Sequence, residues 1–209
     1  MEQVKFTQLK DGDEEDFRFM LQHDTVYAGR VGERLLQSLG FLKNSFSAFQ
    51  ITRLEHSLQS ATRAWLDGAD NDWVVTALLH DIGDVHAPYN HGDYAATVLA
   101  PFVREQCTWS TRFHGDFQAY YFPEGLGVNT NARDKHSKHI YFNDCAEFCE
   151  RWDGPSFDPA FKSLQLEKFR PLVLEVFSRK PFDPEVIRQN AREPLIRANV
   201  AEQRKAETL

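Results

Sequence analysis

Cysteine is scarce: Cys107, Cys145 and Cys149 are the only three in 209 residues. They form neither an even disulfide set nor the paired spacing of a zinc ribbon, so a reducing compartment is expected and the three read as small buried side chains. Long apolar runs are missing as well. No stretch approaches the roughly 20 apolar residues of a membrane span, and Met1-Glu2-Gln3-Val4-Lys5 lacks the basic and apolar regions of a signal peptide. A soluble, cytoplasmic protein with no membrane partner is the expectation. There is no basic excess either: 31 Asp and Glu stand against 24 Lys and Arg. Without a long Lys/Arg run, this balance argues against a nucleic-acid phosphate surface and in favour of small-molecule chemistry.

Strand alternation and internal repeats are also absent, which points to an all-α chain. At 42% hydrophobic and 26% charged residues, the composition suits one globular domain with a sizeable core. The expected division is a polar N-terminal arm over 1–13, a helical domain over 14–200 and a polar C-terminal tail over 201–209.

What is present is helical periodicity with histidines placed along it. Residues 14–39 predict one or two helices, interrupted near His23-Asp24-Thr25, where a capping Asp or Thr is the simplest reading. Residues 51–66 predict a helix whose apolar stripe is Leu54, Leu58, Ala61 and Trp65, with His56 off that stripe. Gly68 to Asp72 breaks the pattern, Asp70 or Asn71 serving as N-cap, and residues 73–82 predict a strongly apolar helix. His56 and His80 then lie at similar distances from the turn of an antiparallel pair and can face one metal.

Further along, His91 stands at the entrance of a helix over 93–102. His114 lies in an aromatic helix over 113–122, whose rings either fill core or wall a pocket. Residues 123–141 read as an irregular loop in which His136 and His139 are solvated beside Lys135 and Lys138. A helix over 143–152 closes on Asp153. A carboxylate there is repelled by the helix macrodipole by about 0.3–1 kcal/mol, which a metal would offset. Residues 164–177 and 184–200 predict two last helices.

The centre of this pattern is Ala77-Leu78-Leu79-His80-Asp81-Ile82-Gly83. Neighbouring side chains on a helix diverge by about 100°, so His80 and Asp81 share a ligand only if it lies in a cleft between helices. With Leu54-Glu55-His56 placed 24 residues before His80, and with Arg151-Trp152-Asp153, the chain resembles the HD-domain superfamily of metal-dependent enzymes over roughly residues 51–154. The resemblance implies a helical bundle with a dinuclear metal site between helices. His56, His80, Asp81 and Asp153 would hold one ion, and His91 and His114 a second. Asp81 would bridge them, and His80 and Asp81 would be central to catalysis. Two divalent or mixed-valent ions are expected; iron is favoured, and manganese, cobalt and zinc also suit imidazole and carboxylate donors.

Two branches of the superfamily carry such pairs. One holds phosphodiesterases and phosphohydrolases acting on nucleotides or other phosphate esters. The other holds di-iron oxygenases that use dioxygen, among them the organophosphonate-cleaving enzymes, which this chain resembles most in its Leu-Glu-His and Trp-Asp contexts. An oxygenase acting on a small polar substrate is the leading expectation and a phosphohydrolase the alternative. A regulatory module without catalysis is a third reading, disfavoured because all six ligand positions are filled.

The chain departs from the phosphonate-cleaving group where substrate contacts are expected. Gln118 and Glu150 stand where that group has Lys and Arg, and Tyr27-Ala28-Gly29-Arg30 is only an echo of its Tyr-x-Gly-Glu segment. Phosphonate itself is therefore an unfavoured substrate, since charge-assisted bonds to such groups are among the stronger ones. Arg53, Gln118, Tyr121, Glu150, Asp84 and His86 are the substrate-contact candidates, with Glu55 and Tyr89 near them. Asp84 is read as a hydrogen-bond partner of a ligand histidine and Glu150 as a partner for a cationic group.

Overall fold

Helix α4 (Asn71–Leu79) is the axis of the structure. Every residue from Trp73 to Leu79 is at most 1% exposed, as expected of a helix that is apolar on all sides. Asp70 caps it by accepting from the Trp73 amide at 3.1 Å. Helix α3 (Arg53–Leu66) packs alongside. A capping box of Thr52 and Glu55 opens α3, each side chain accepting from the other's amide at 3.1 and 2.6 Å; such caps contribute about 1 kcal/mol each.

The computed structural model describes residues 3–45 and 48–208, apart from the side chains of 207 and 208. Residues 1 and 2 of the N-terminal arm and 209 of the tail therefore lie outside the described residues. Ten α-helices and no strand occur among those described. Around α3 and α4 stand α2 (Val31–Leu39), α5 (His91–Leu99), α6 (Glu105–Gln118), α7 (Phe142–Phe148) and α8 (Leu166–Phe177). One apolar cluster runs through this group, from Leu35 on α2 to Phe177 on α8 and on to Leu195.

Several local expectations are corrected. The stripe of Leu54, Leu58 and Trp65 is only partly buried, while His56, Ser57, Gln59, Ser60 and Thr62 face inward with Ala61 and Ala64. The small polar face turned inward because it carries His56 and finds buried partners: Gln59 reaches the Asp158 carbonyl at 2.7 Å, and Thr62 takes the Leu164 amide at 3.0 Å. Helix α1 (Glu14–Gly29) runs unbroken through His23-Asp24-Thr25, so these residues cap nothing and the break falls at Arg30. Helix α6 begins at Glu105, eight residues before its aromatic segment. The loop over 123–141 contains a 3₁₀ turn, Ala132–His136. His139 stacks on Trp109 at 4.2 Å and His136 meets Asp116 at 2.9 Å, so neither is simply solvated.

The stretch 184–200 is not one helix. A short α9 (Pro184–Ile187) stops at Arg188, and both Arg188 and Asn190 take left-handed backbone angles with φ of 42° and 59°. Helix α10 (Ala198–Thr208) then continues through what the composition suggested was a polar tail. Ala201 is buried, Arg204 donates to the Trp65 and Ala69 carbonyls at 3.0 and 2.8 Å, and its guanidinium lies over the Trp65 ring.

Candidate metal centre

His56 lies one turn into α3, and His80 follows α4 directly. The helical path ends there. Asp81 takes φ −105° and ψ 10°, the bridge region in which turn and active-site residues often sit. This break lets the Asp81 carboxylate turn toward the same cleft as the His80 ring.

The imidazole orientations follow from their outer nitrogens. Nδ1 of His56, His80 and His114 meets the backbone carbonyls of Ser156, Ala77 and Thr111 at 2.8, 2.8 and 2.6 Å. A carbonyl only accepts, so each Nδ1 carries a proton, and in the neutral ring Nε2 is then a lone pair. Yet Nε2 of His56 lies 3.2 Å from Nε2 of His80, and Nε2 of His91 lies 3.1 Å from Nε2 of His114. Two lone pairs aimed at one another repel unless a cation lies between them. Backbone carbonyls that fix the outer nitrogen are the usual support of metal-bound histidines.

Two glycines bring the second pair in. A Cβ on Gly83 would lie 2.7 Å from the His91 carbonyl oxygen and 2.9 Å from the His91 Cα. A Cβ on Gly92 would lie 2.8 Å from the Arg112 carbonyl oxygen. The first absence lets the start of α5 lie against the His80-Asp81 turn; the second lets α5 approach α6, which carries His114. Gly83 thus serves close packing.

Asp81 faces both pairs, one oxygen to each. Its Oδ2 is 3.3 Å from His56 and 3.4 Å from His80, and its Oδ1 is 3.5 Å from His91 and 3.3 Å from His114. Asp153 completes the first group, with Oδ1 at 3.2 Å from His56 and 3.6 Å from His80. It stands at the end of a π-turn, Cys149–Asp153, into which α7 widens; such widenings recur at functional sites. Both Asp81 oxygens and Oδ1 of Asp153 are buried without a hydrogen bond of proper geometry. An unpaired buried polar atom costs about 1–3 kcal/mol, more when charged, so this donor set fits divalent cations. Three groups of these residues converge closely enough to hold an ion: His56, His80 and Asp81; His80, His114 and Asp153; and Asp81, His91 and His114.

The charges agree. Burial disfavours protonation of His56, but Asp153 and Asp81 outweigh it and raise its pKa to about 9; with no metal, a proton takes the cation's place. Burial likewise opposes ionisation of Asp81, and His80, His114, His56 and Arg53 together hold it well below the usual carboxylate range. Asp153 is lowered against burial by His56 and His80. His114 is raised despite burial, by Asp81, whereas burial and the neighbouring His114 lower His91.

Beside the centre opens a cleft of about 450 Å³, lined by Arg53, Gln118, Tyr121, Glu150 and the rings of Phe49, Phe122 and Phe157. Arg53 Nη2 lies 3.0 Å from Asp81 Oδ2, and both Nε and Nη2 pair with Asp84. Asp84 in turn has its other oxygen 3.5 Å from His91 Nδ1. Gln118 donates to Asp153 Oδ2 at 2.6 Å. The six expected ligands, together with Arg53, Asp84, Gln118, Tyr121 and Glu150, are therefore brought to one place. His86 is not: it is exposed, and its ring lies beside Tyr94. Tyr89 is fully exposed as well. Phe157, which stacks on His56 at 4.4 Å, and Phe49 escaped the sequence reading because no motif or periodicity marks them.

No family model matches the chain. Among curated proteins, it is 27% identical over 176 aligned positions to a hydroxymethylphosphonate dioxygenase of Gimesia maris, covering 68% of this chain and 87% of the relative. No helix among the described residues is long and apolar enough to cross a membrane. By its motifs, its all-helical fold with His/Asp groups between helices, and this relative, the chain is similar to the HD-domain metalloenzymes, and among them to the hydroxymethylphosphonate dioxygenase.

Proposed function

We propose that the chain is a dinuclear metal-dependent oxygenase acting on a small-molecule substrate, with dioxygen as its co-substrate. The division of Asp81 between two histidine pairs carries the reading, because a carboxylate whose two oxygens face different ligand groups can hold one cation with each. His56, His80 and Asp153 would hold the first ion, and His91 and His114 the second. The dioxygenase relative supports oxygen chemistry over hydrolysis. Iron is the favoured metal because the dioxygenase relative points to oxygen chemistry; the imidazole and carboxylate donors, with no thiolate among them, suit it.

When bound, the ions supply Lewis-acid polarisation and one-electron exchange with dioxygen. The chain's residues do the rest. Gln118 holds the free oxygen of Asp153 and fixes the direction of the other. Asp84 steadies His91 and is itself held by Arg53. The aromatic wall of the cleft excludes water from the substrate, and Arg53 presents charge beside the shared carboxylate.

Metal analysis after anaerobic purification, with electron paramagnetic resonance, tests this. Two irons per chain and a mixed-valent signal that changes on substrate addition are expected. Manganese- or cobalt-dependent release of phosphate from nucleotides, with no iron retained, would make the chain a phosphohydrolase instead.

A further inference from the structure

The cleft is poorly equipped for a doubly charged head group. Arg53 is the cation in its lining, and it is already engaged: Nε and Nη2 face Asp84 and Asp81. Of the five N–H donors of a guanidinium, only the Nη1 pair is then left for a ligand. The next polar group inward, Gln118, is neutral and spends a donor on Asp153. Glu150 lines the same cleft and has no ion-pair partner among the described residues; its neighbour Arg151 is taken by Glu147. Beyond the metal ions, an anion with two charges would meet in the lining one shared cation and one repelling carboxylate.

The rest of the lining is apolar. Phe49, Tyr121, Phe122, Pro155 and Phe157 form walls around about 450 Å³, a volume within the range of sites for ligands of drug size. A one-carbon substrate such as the relative's hydroxymethylphosphonate would leave those rings uncovered.

We infer that the cleft selects a hydroxy acid of the carboxylate class with an apolar body, in preference to a phosphonate. The hydroxyl and carboxylate would face the Asp81 end, where Nη1 of Arg53 suits a single negative charge, and the body would lie against the aromatic walls. The inference rests on the proposed function only for the pair of metal ions at the cleft floor.

Matched probes test it by calorimetry on the full chain, loaded with ferrous or manganous ion under argon so that no turnover occurs. Mandelate and hydroxy(phenyl)methylphosphonate share one body and differ in head group; glycolate keeps the carboxylate and loses the body. Mandelate is expected to bind at least about tenfold more tightly than either, the second charge of the phosphonate finding no further cation in the lining. The double substitution Gln118→Lys with Glu150→Arg is expected to move the head-group preference toward the phosphonate by about tenfold or more. A phosphonate that equals or beats mandelate on the unmodified chain overturns the inference. So does glycolate matching mandelate, no binding by any probe, or a double variant that leaves the preference unchanged. Mandelate bound to the manganous form, with no iron retained by the chain as purified anaerobically, would remove the oxygenase reading and leave the substrate class standing.

Discussion

His56, His80 and Asp153 come from three elements that meet in the core, and their side chains are at most 1% exposed. His91 stands at the first residue of a helix that follows a turn, and its side chain keeps a quarter of its surface exposed. The first group is held by packing, as is His114 on α6, whereas His91 depends on the clearance that Gly83 and Gly92 give to α5. Buried ligands that cannot relax keep their geometry when one partner is lost, whereas a ligand at a helix start moves with that helix. The two halves of the centre are thus expected to differ in how firmly they hold an ion, with Asp81 the point at which that difference is coupled.

Removing the coupling should have the largest effect. Asp81→Asn leaves one oxygen in place of a shared carboxylate, so metal content should fall from two ions per chain to near zero and turnover by more than about a hundredfold, beyond the range for outer partners of a metal ligand. Retention of both ions would mean that the halves are independent.

Next in size, the halves can be broken separately. His56→Ala leaves Asp81 and Asp153 facing each other with one partner fewer and should destabilise the chain by about 3–5 kcal/mol. His91→Ala should cost one ion and leave the melting temperature near that of the parent. Metal analysis and thermal unfolding of the two variants side by side would refute the contrast if both lost the same ion count and the same stability.

Proton competition sharpens the comparison further. In the metal-free chain His56 holds its proton up to about pH 9, against an ordinary value of 6.5. A raised folded-state pKa means that this stabilisation is complete below pH 6.5 and is lost as pH rises through about 9; it amounts to no more than about 3 kcal/mol. The chelated protein should therefore melt at lower temperature as pH rises, while metal uptake by the first group strengthens over the same range. In the second group burial lowers the pKa of His91 and Asp81 raises that of His114, so its loading should follow pH through His114 and not through His91. Melting curves of the chelated parent and of His56→Ala across this range would show it, the variant lacking the slope.

The smallest effect belongs to the close packing at Gly83. Gly83→Ala puts a methyl group against the His91 carbonyl, an overpacking of about 1–3 kcal/mol. It should loosen the second ion, read by chelator competition, and spare the first. If both ions weaken together, α5 is not the separate support described above.

Much of this was legible in the chain. The Asp70 cap and the apolar run into His80 both appeared as read, because caps and periodicity are local signals. The six proposed ligands could be collected because their chemistry is conspicuous and the family resemblance orders them. Reading failed where local propensity met tertiary demand. The helix over 51–66 shows an apolar stripe, yet its polar face turned inward, since the site lies on that side. The polar residues after 200 form α10 because Arg204 finds carbonyl and ring partners 135 and more residues away. Phe49 and Phe157 line the cleft without any mark in the sequence.

By itself the sequence determined the helical class, the antiparallel pairing that sets His56 opposite His80, and the chemical identity of the proposed ligands, all of which follow from spacing and residue type. Only the tertiary structure decided that Asp81 divides its two oxygens between separate histidine pairs, that Arg53 is shared between Asp81 and Asp84, and that aromatic rings wall the approach. The reason is physical. Spacing along one helix defines which residues share a face, but where a carboxylate points after the helix ends depends on how closely the next helix packs, and here that distance is set by the missing side chains of two glycines.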